Sequence, residues 1–520
     1  MLRQTGFALA PALVLLATLL ALPSGGPPAS AAGATSISAS LDHTCAVTAG
    51  GGARCWGSNG FGQLGDGTMT PRAEPVDVTG LTSGVVAISA GEYHTCALLA
   101  GGGVKCWGGN FKGQLGDGTT VQRPLPVDVM TLSSGVTAIA AGGNHTCART
   151  AAGGAKCWGD NVDAQLGAPA SDDCDPGPLL DLCSKTPQNV SGLTSGVATV
   201  EAGRYHTCAL TTGGGAKCWG HNFLGQVGNG APPGYVMTPA NVSGLTSGVA
   251  SIELGAFHTC AITTGGAAKC WGTNVDGQLG ANSTDLCSGS PCARTPIVVA
   301  GLEGSITSID GGRHHTCATM VAGGVRCWGD NDFGQLGDGT TTPHSVPAAV
   351  DGLSGGKAAL AVGGFHSCAL PYSGTLQCWG ANGAGQVGDG SGMGRLAPVT
   401  VSGMGAKELP TPTSTFTPTI TPTPTITPTP TVTLTPTNTP TPTPTNTPPP
   451  PPPCPGDVTG DLVVTVTDIA EVVAHFGHSE AADPAKWAAH EDARRDVNGD
   501  GAITAGDIAL VVAEYGSVCS

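Results

Sequence analysis

Apolar positions in this chain come in short runs, some alternating with polar residues and some continuous, and glycines interrupt them at close intervals. The stretch from His94 to Gly108 shows the unit: two apolar-rich runs flank Gly101, Gly102 and Gly103, and a Gly turn between two such runs predicts a β-hairpin. Runs such as Pro75–Val78 and Val85–Ile88 read as further short strands, separated by a Gly-Leu-Thr-Ser-Gly turn. The pattern then repeats. The motif H-[TS]-C…C-W-G-x-N-x-x-[GA]-Q-[LV]-G occurs seven times, at steps of 51 to 61 residues. About four short strands per repeat predict an all-β fold, a seven-bladed β-propeller whose ring closure removes exposed sheet edges. The N-terminal run Thr35–Ser40 is expected to complete the last blade, begun near Gln377, and so lock the ring.

Composition agrees with a turn-rich β protein: 83 Gly and 11% charged residues in 520. The net charge of −16 weighs against nucleic acid, whose phosphates attract basic surfaces. Residues 1–31 read as a signal peptide. Arg3 precedes the apolar run Gly6–Leu22, and Ala29-Ser30-Ala31 offers a small-residue cleavage site, so the run is read as cleaved rather than as a membrane anchor. The expected location is secreted, extracellular or at the cell surface.

Export makes the 20 Cys candidates for disulfides. The first Cys of each repeat is followed ten residues later by the second, giving Cys45–Cys55, Cys96–Cys106, Cys147–Cys157, Cys208–Cys218, Cys260–Cys270, Cys317–Cys327 and Cys368–Cys378. Each pair is equidistant from a hairpin tip, so the two Cys can face one another across strands and one disulfide per blade is expected. A His/Cys/Cys zinc site in each repeat is the competing reading, and it fits export and sheet geometry poorly.

The run G-x-x-H-T-C-A-L followed by W-G-x-N-x-x-G-Q-L-G-D-G resembles the regulator of chromosome condensation repeat, over about residues 34 to 404. The resemblance implies a seven-bladed propeller. Proteins similar in this way include a nuclear exchange factor for a small GTPase and a secreted bacterial β-lactamase inhibitor. The signal peptide, the acidity and the paired Cys depart from the nuclear pattern.

A residue present in every blade is read as frame. This covers His43, His94, His145, His206, His258, His315 and His366, together with the Trp after each second Cys and the equivalents of Asn59 and Gln63. A single partner lacks sevenfold symmetry, so its site must break it. Two repeats carry extra loops after the Gln-Leu-Gly turn, with the additional pairs Cys174–Cys183 and Cys287–Cys292 as expected local disulfides. They flank the unusual segment Asn229–Tyr235 of the fourth repeat, and both are expected on one face. Asp172, Asp173, Asp175, Leu180 and Leu182 are the candidate partner contacts.

Beyond a propeller at 32–406 the character changes twice. Residues 407–453 are a Pro/Thr-rich linker, in which Pro410 to Pro453 form an extended spacer of at most about 136 Å. Residues 454–520 form a small acidic module of EF-hand-like loops and helices. Its second loop places oxygen donors Asp496, Asn498, Asp500, Thr504 and Asp507 and the carbonyl of Ala502 at the spacing a hard cation requires, with Gly501 at the sharp turn. The first loop repeats the frame with Asp457, Thr459, Asp461, Thr465 and Asp468, so the expected cofactor is Ca²⁺. A helix follows each loop, starting at Asp468 and Asp507 and ending at Gly477 and Gly516. These loop–helix duplicates are similar to dockerin type I modules, which implies a cohesin-like receptor. A disulfide between Cys454 and Cys519 would clip the module's ends. No nucleophile–His pair that breaks the sevenfold repeat and no specific carboxylate pair stands out, so the expected function is non-enzymatic: a protein-binding propeller docked through calcium to a surface or scaffold receptor; a specific carboxylate pair in the central channel would instead favour catalysis. The alternatives are a component of an extracellular polysaccharide-degrading assembly, or a secreted inhibitor of an exported enzyme.

Overall fold

The computed structural model describes residues 33–404 except 171, 175–181, 303–305, 354–356 and 372–374. The expected signal peptide, the linker, the calcium loops and Cys454 and Cys519 lie outside the described residues.

Seven antiparallel sheets follow one another along the chain. Blade 1 consists of β1 (Ala34–Ala39), β2 (His43–Thr48), β3 (Ala53–Gly57) and β4 (Arg72–Asp77), paired in chain order. Blade 2 repeats this with β5 (Val85–Ala90), β6 (His94–Leu99), β7 (Val104–Gly108) and β8 (Arg123–Asp128). Blade 3 has β9 (Val136–Ala141), β10 (His145–Thr150) and β11 (Ala155–Asp160), and its insertion adds β12 (Asp172–Asp173) beside the outer strand β13 (Leu182–Asn189). Blades 4 to 7 begin at Val197, Val249, Ile306 and Lys357, and the fifth also carries an extra outer strand, Asp285–Cys287. The first strand of every blade lines a central channel.

The hairpin register is the one the Cys spacing predicts. Cys45 lies opposite Cys55 with Cα atoms 4.1 Å apart, and all seven blades repeat the bridge. The loop pairs Cys174–Cys183 and Cys287–Cys292 are bridged as well.

Ring closure differs from expectation. β1 pairs with β2, Ala39 opposite Thr44 and Ser38 opposite Cys45, and takes no part in blade 7. The reason is local: Arg395–Thr400 returns to the edge of Gln377–Gly380 and fills the place that Thr35–Ser40 was expected to take. Blades 7 and 1 therefore join by packing, as every other pair does. Trp56 is buried against Cys368, Leu370, Leu376, Cys378 and Val387 of blade 7. The joint is tight enough to exclude a methyl group. Gly388 of blade 7 sits at φ +76° against Trp56, and a Cβ there would lie 2.5 Å from the indole nitrogen.

Candidate functional site

The repeated polar residues are consumed by the joints between blades. His94 Nε2 lies 2.8 Å from Thr146 Oγ1 of the following blade, and the same bond recurs around the ring to His366 and Thr44 at 2.7 Å. Thr146 Oγ1 donates its single proton to the carbonyl of Gln114 at 2.8 Å, so it accepts from His94 Nε2–H. That bond fixes the neutral tautomer and leaves Nδ1 as a buried lone pair with no donor. Burial pushes the His94 pKa down to about 3, with minor contributions from the neighbouring His145 and His43. Trp158 Nε1 donates to the same Gln114 carbonyl at 3.0 Å. Asn59 closes its own loop by accepting from Leu64 N at 3.0 Å, and Gln63 accepts from Phe61 N at 2.9 Å. The structural reading of these residues holds.

The symmetry breaks in the channel. Aligned first strands place Ser38, Ser89, Ala140, Glu201, Glu253, Asp310 and Ala361 at equivalent positions. Blades 4, 5 and 6 thus carry three consecutive carboxylates on the wall of a cavity of about 470 Å³. At this position Ser38 Oγ accepts from Ala90 N at 3.0 Å, Ser89 Oγ from Ala141 N at 2.9 Å, and Asp310 Oδ2 from Val362 N at 2.8 Å. Glu201, Glu253 and Asp310 are each half-buried and open on the channel. Burial drives all three carboxyl pKa values above the ordinary range; Asp310 adds to the rise at Glu201, and Glu201 and Asp310 add to that at Glu253. Sequence reading missed this cluster, which becomes visible only when the seven first strands are set in register.

At one mouth of the channel the loops collect aromatic residues. The second strand of each blade begins opposite the end of the third, as His43 opposite Gly57, so the loops before one and after the other share a face. Every described Phe and Tyr lies there, whereas the described Trp side chains fill the joints. Phe61, Tyr93 and Phe111 cluster with centroids 5.1 to 6.0 Å apart. Tyr205 lies against Phe257 at 5.8 Å, Phe223 against Tyr235 at 5.1 Å, and Phe333 against Phe365 at 5.3 Å. Arg204 crosses the third blade, where Gly143 leaves room, to meet Glu92 at 3.0 Å, and its guanidinium lies 4.9 Å from the Tyr205 ring centre. Arg313 stands 5.5 Å over Phe365.

The two insertions emerge on this same face, because Asp160 pairs with Cys183 and Thr273 with Cys292. Ser288 of the second reaches the Phe223 carbonyl at 3.3 Å. Of the candidate contacts, Asp172 accepts from Lys185 N at 2.9 Å and so holds its own hairpin together. Asp173 is exposed, Leu182 pairs with it, and Asp175 and Leu180 lie outside the described residues.

Fold and repeat together define a disulfide-stapled, seven-bladed β-propeller with one elaborated loop face. The model for the regulator of chromosome condensation (RCC1) repeat matches seven segments between residues 34 and 386, and a second model of that repeat matches five between 52 and 370. The dockerin type I domain model matches residues 455–514. The chain is 30% identical to the ultraviolet-B receptor UVR8 of Arabidopsis thaliana over 62% of its own length and 71% of the receptor's. It is 32% identical to the human E3 ubiquitin-protein ligase HERC2 over 63% of its length, but spans only 7% of that protein. In fold it is similar to Prp20p of Saccharomyces cerevisiae (22% identity, TM-score 0.57, 71% of this chain and 87% of that one) and to human WBSCR16 (20%, 0.59, 68% and 94%). The chain belongs to the RCC1-repeat propeller family and carries a C-terminal dockerin type I domain. Propellers of this family are mostly interaction or regulatory proteins, and dockerin type I domains are extracellular calcium-binding modules that bind cohesins.

Proposed function

We propose that this is a secreted, non-enzymatic adaptor. Its propeller binds a protein partner through the aromatic loop face, and its dockerin module ties it through Ca²⁺ to a cohesin-bearing surface or scaffold receptor. The observation that carries the reading is the pairing, in one chain, of a disulfide-stapled interaction propeller with a dockerin type I domain across a Pro/Thr spacer. A spacer of this composition stays extended and separates two binding events.

The donor set suits a hard cation: carboxylate, amide, hydroxyl and carbonyl oxygens and no Cys or His. Asp496, Asn498, Asp500, Ala502, Thr504 and Asp507 would hold one ion; Asp457, Thr459, Asp461, Thr465 and Asp468 would hold a second more weakly, since Leu462 stands where the other loop has Gly501. Bound Ca²⁺ would order each loop against its helix and so build the docking surface. Calcium titration of the full-length protein by calorimetry, with Asp496→Ala and Asp457→Ala, tests this reading. Saturable binding that Asp496→Ala reduces most is expected, together with calcium-dependent retention on an immobilised cohesin. Absence of saturable calcium binding would sink the docking half of the proposal.

A further inference from the structure

We infer that the loop face and the channel mouth dock a protein partner presenting a basic side chain, a Lys or Arg at the tip of a loop, to the carboxylates of blades 4 to 6. The inference rests on the reading of the propeller as a protein-binding module and adds the chemistry of its partner. Charge complementarity carries it. Ala140 and Ala361 occupy the same ring position as Glu201, Glu253 and Asp310, so the frame itself accepts a methyl group there and has no need of acid. Asp310 takes backbone donors from Val362 and Gly311, each at 2.8 Å. The carboxyl groups of Glu201 and Glu253 make no hydrogen bond to any described residue, their backbones being paired in the sheets. These neighbouring, half-buried acids on one channel wall disfavour one another's charged form, and an arriving cation draws them into it by opposing both the desolvation and the mutual repulsion.

The cation has to come from outside. Arg204 and Arg313 line the same cavity but are already engaged, Arg204 with Glu92 at 3.0 Å and Arg313 over Phe365. Among the described residues no three ligands converge as a metal site, and the cavity of about 470 Å³ admits a long side chain with its waters rather than a folded element. The surroundings suit a protein. Phe111 and Phe333 remain 39% and 50% exposed at the rim, and aromatic residues with Arg are the types that dominate protein interfaces. The same rings attract a cation passing over them.

A display library of randomised loops on an inert scaffold, selected on the full-length protein, tests the inference. Clones that lose binding to Phe111→Ser/Phe333→Ser define the loop face. The expected result is that these clones carry Lys or Arg at the loop tip and bind Glu201→Gln/Glu253→Gln at least tenfold more weakly. Replacing the tip Lys by norleucine in the clone should cause the same loss and leaves the propeller untouched, which keeps the test decisive if the double variant does not fold. Face-binding clones without a basic tip, or basic clones indifferent to both changes, would overturn this inference while leaving the protein-binding reading intact. If no clone depends on the Phe pair, both fall.

Discussion

The joints between blades and the channel wall are built from the same repeat, yet they obey opposite rules. At a joint, His, Thr, Gln and Trp recur with little variation: His43 meets Thr95 at 2.9 Å and His258 meets Thr316 at 2.8 Å. On the channel wall, one position runs through Ser, Ala, Glu and Asp within a single turn of the ring. A joint has a neighbour of fixed shape, so each blade must satisfy the same bonds. The channel wall faces solvent or a partner, and variation there costs the frame little. Residues that obey the sevenfold rule hold the ring; residues that break it are available for recognition.

The sharpest test of this contrast is pH. A joint histidine has a folded pKa near 3, against an ordinary value of 6.5, so below pH 6.5 the unfolded chain binds protons that the folded ring refuses. Stability is therefore full above pH 6.5 and falls as the pH drops toward 3, by up to about 1.4 kcal/mol per pH unit for each histidine. Urea midpoints measured from pH 7 to pH 4.5 should decline steadily. A flat profile would mean that the ring admits imidazolium. Next in size is Trp219→Ala, which removes a fully buried indole and its 3.0 Å bond to the Gln165 carbonyl. It should cost about 3–5 kcal/mol in thermal or urea unfolding.

Removing one hairpin bridge as Cys208→Ser/Cys218→Ser should cost about 2–3 kcal/mol, since the loop it closes is short. The channel carboxylates have the opposite sign to the histidines. Their folded pKa values are raised, so the stability they contribute is present at low pH and lost as the pH rises through those values. Glu201→Gln/Glu253→Gln should accordingly be more stable than the native chain at pH 9, by roughly 1–3 kcal/mol, with little difference at pH 4. The smallest effect belongs to the loop face: Phe333→Ser should change the melting free energy by less than about 0.5 kcal/mol, because the ring is half exposed. A large loss there would show the aromatic cluster to be structural.

Much of the fold is legible without coordinates. Two Cys ten residues apart across a Gly turn predict the hairpin, its register and its bridge, and the Cys45–Cys55 pairing follows that reading. The frame role of the histidines follows from recurrence alone. The expected strand exchange at Thr35–Ser40 failed because two strands, at the two ends of the propeller, suited one sheet edge, and only the folded chain shows Arg395–Thr400 occupying it. The candidate contacts in the third-blade insertion rest on its breaking the sevenfold repeat, and Asp172 accepts a hydrogen bond within its own hairpin, a contact that only the folded chain shows.

Local sequence determined the blade, its turns, its bridges and the number of repeats, because hairpin register, disulfide reach and Gly turns act over ten or so residues. Tertiary structure decided what the blades surround. Glu201, Glu253 and Asp310 stand more than fifty residues apart in ordinary strands, and only ring closure sets them side by side on one wall. Closure also gathers Phe111, Tyr205 and Phe333 onto one face, since strand polarity brings every such loop to the same end of its blade.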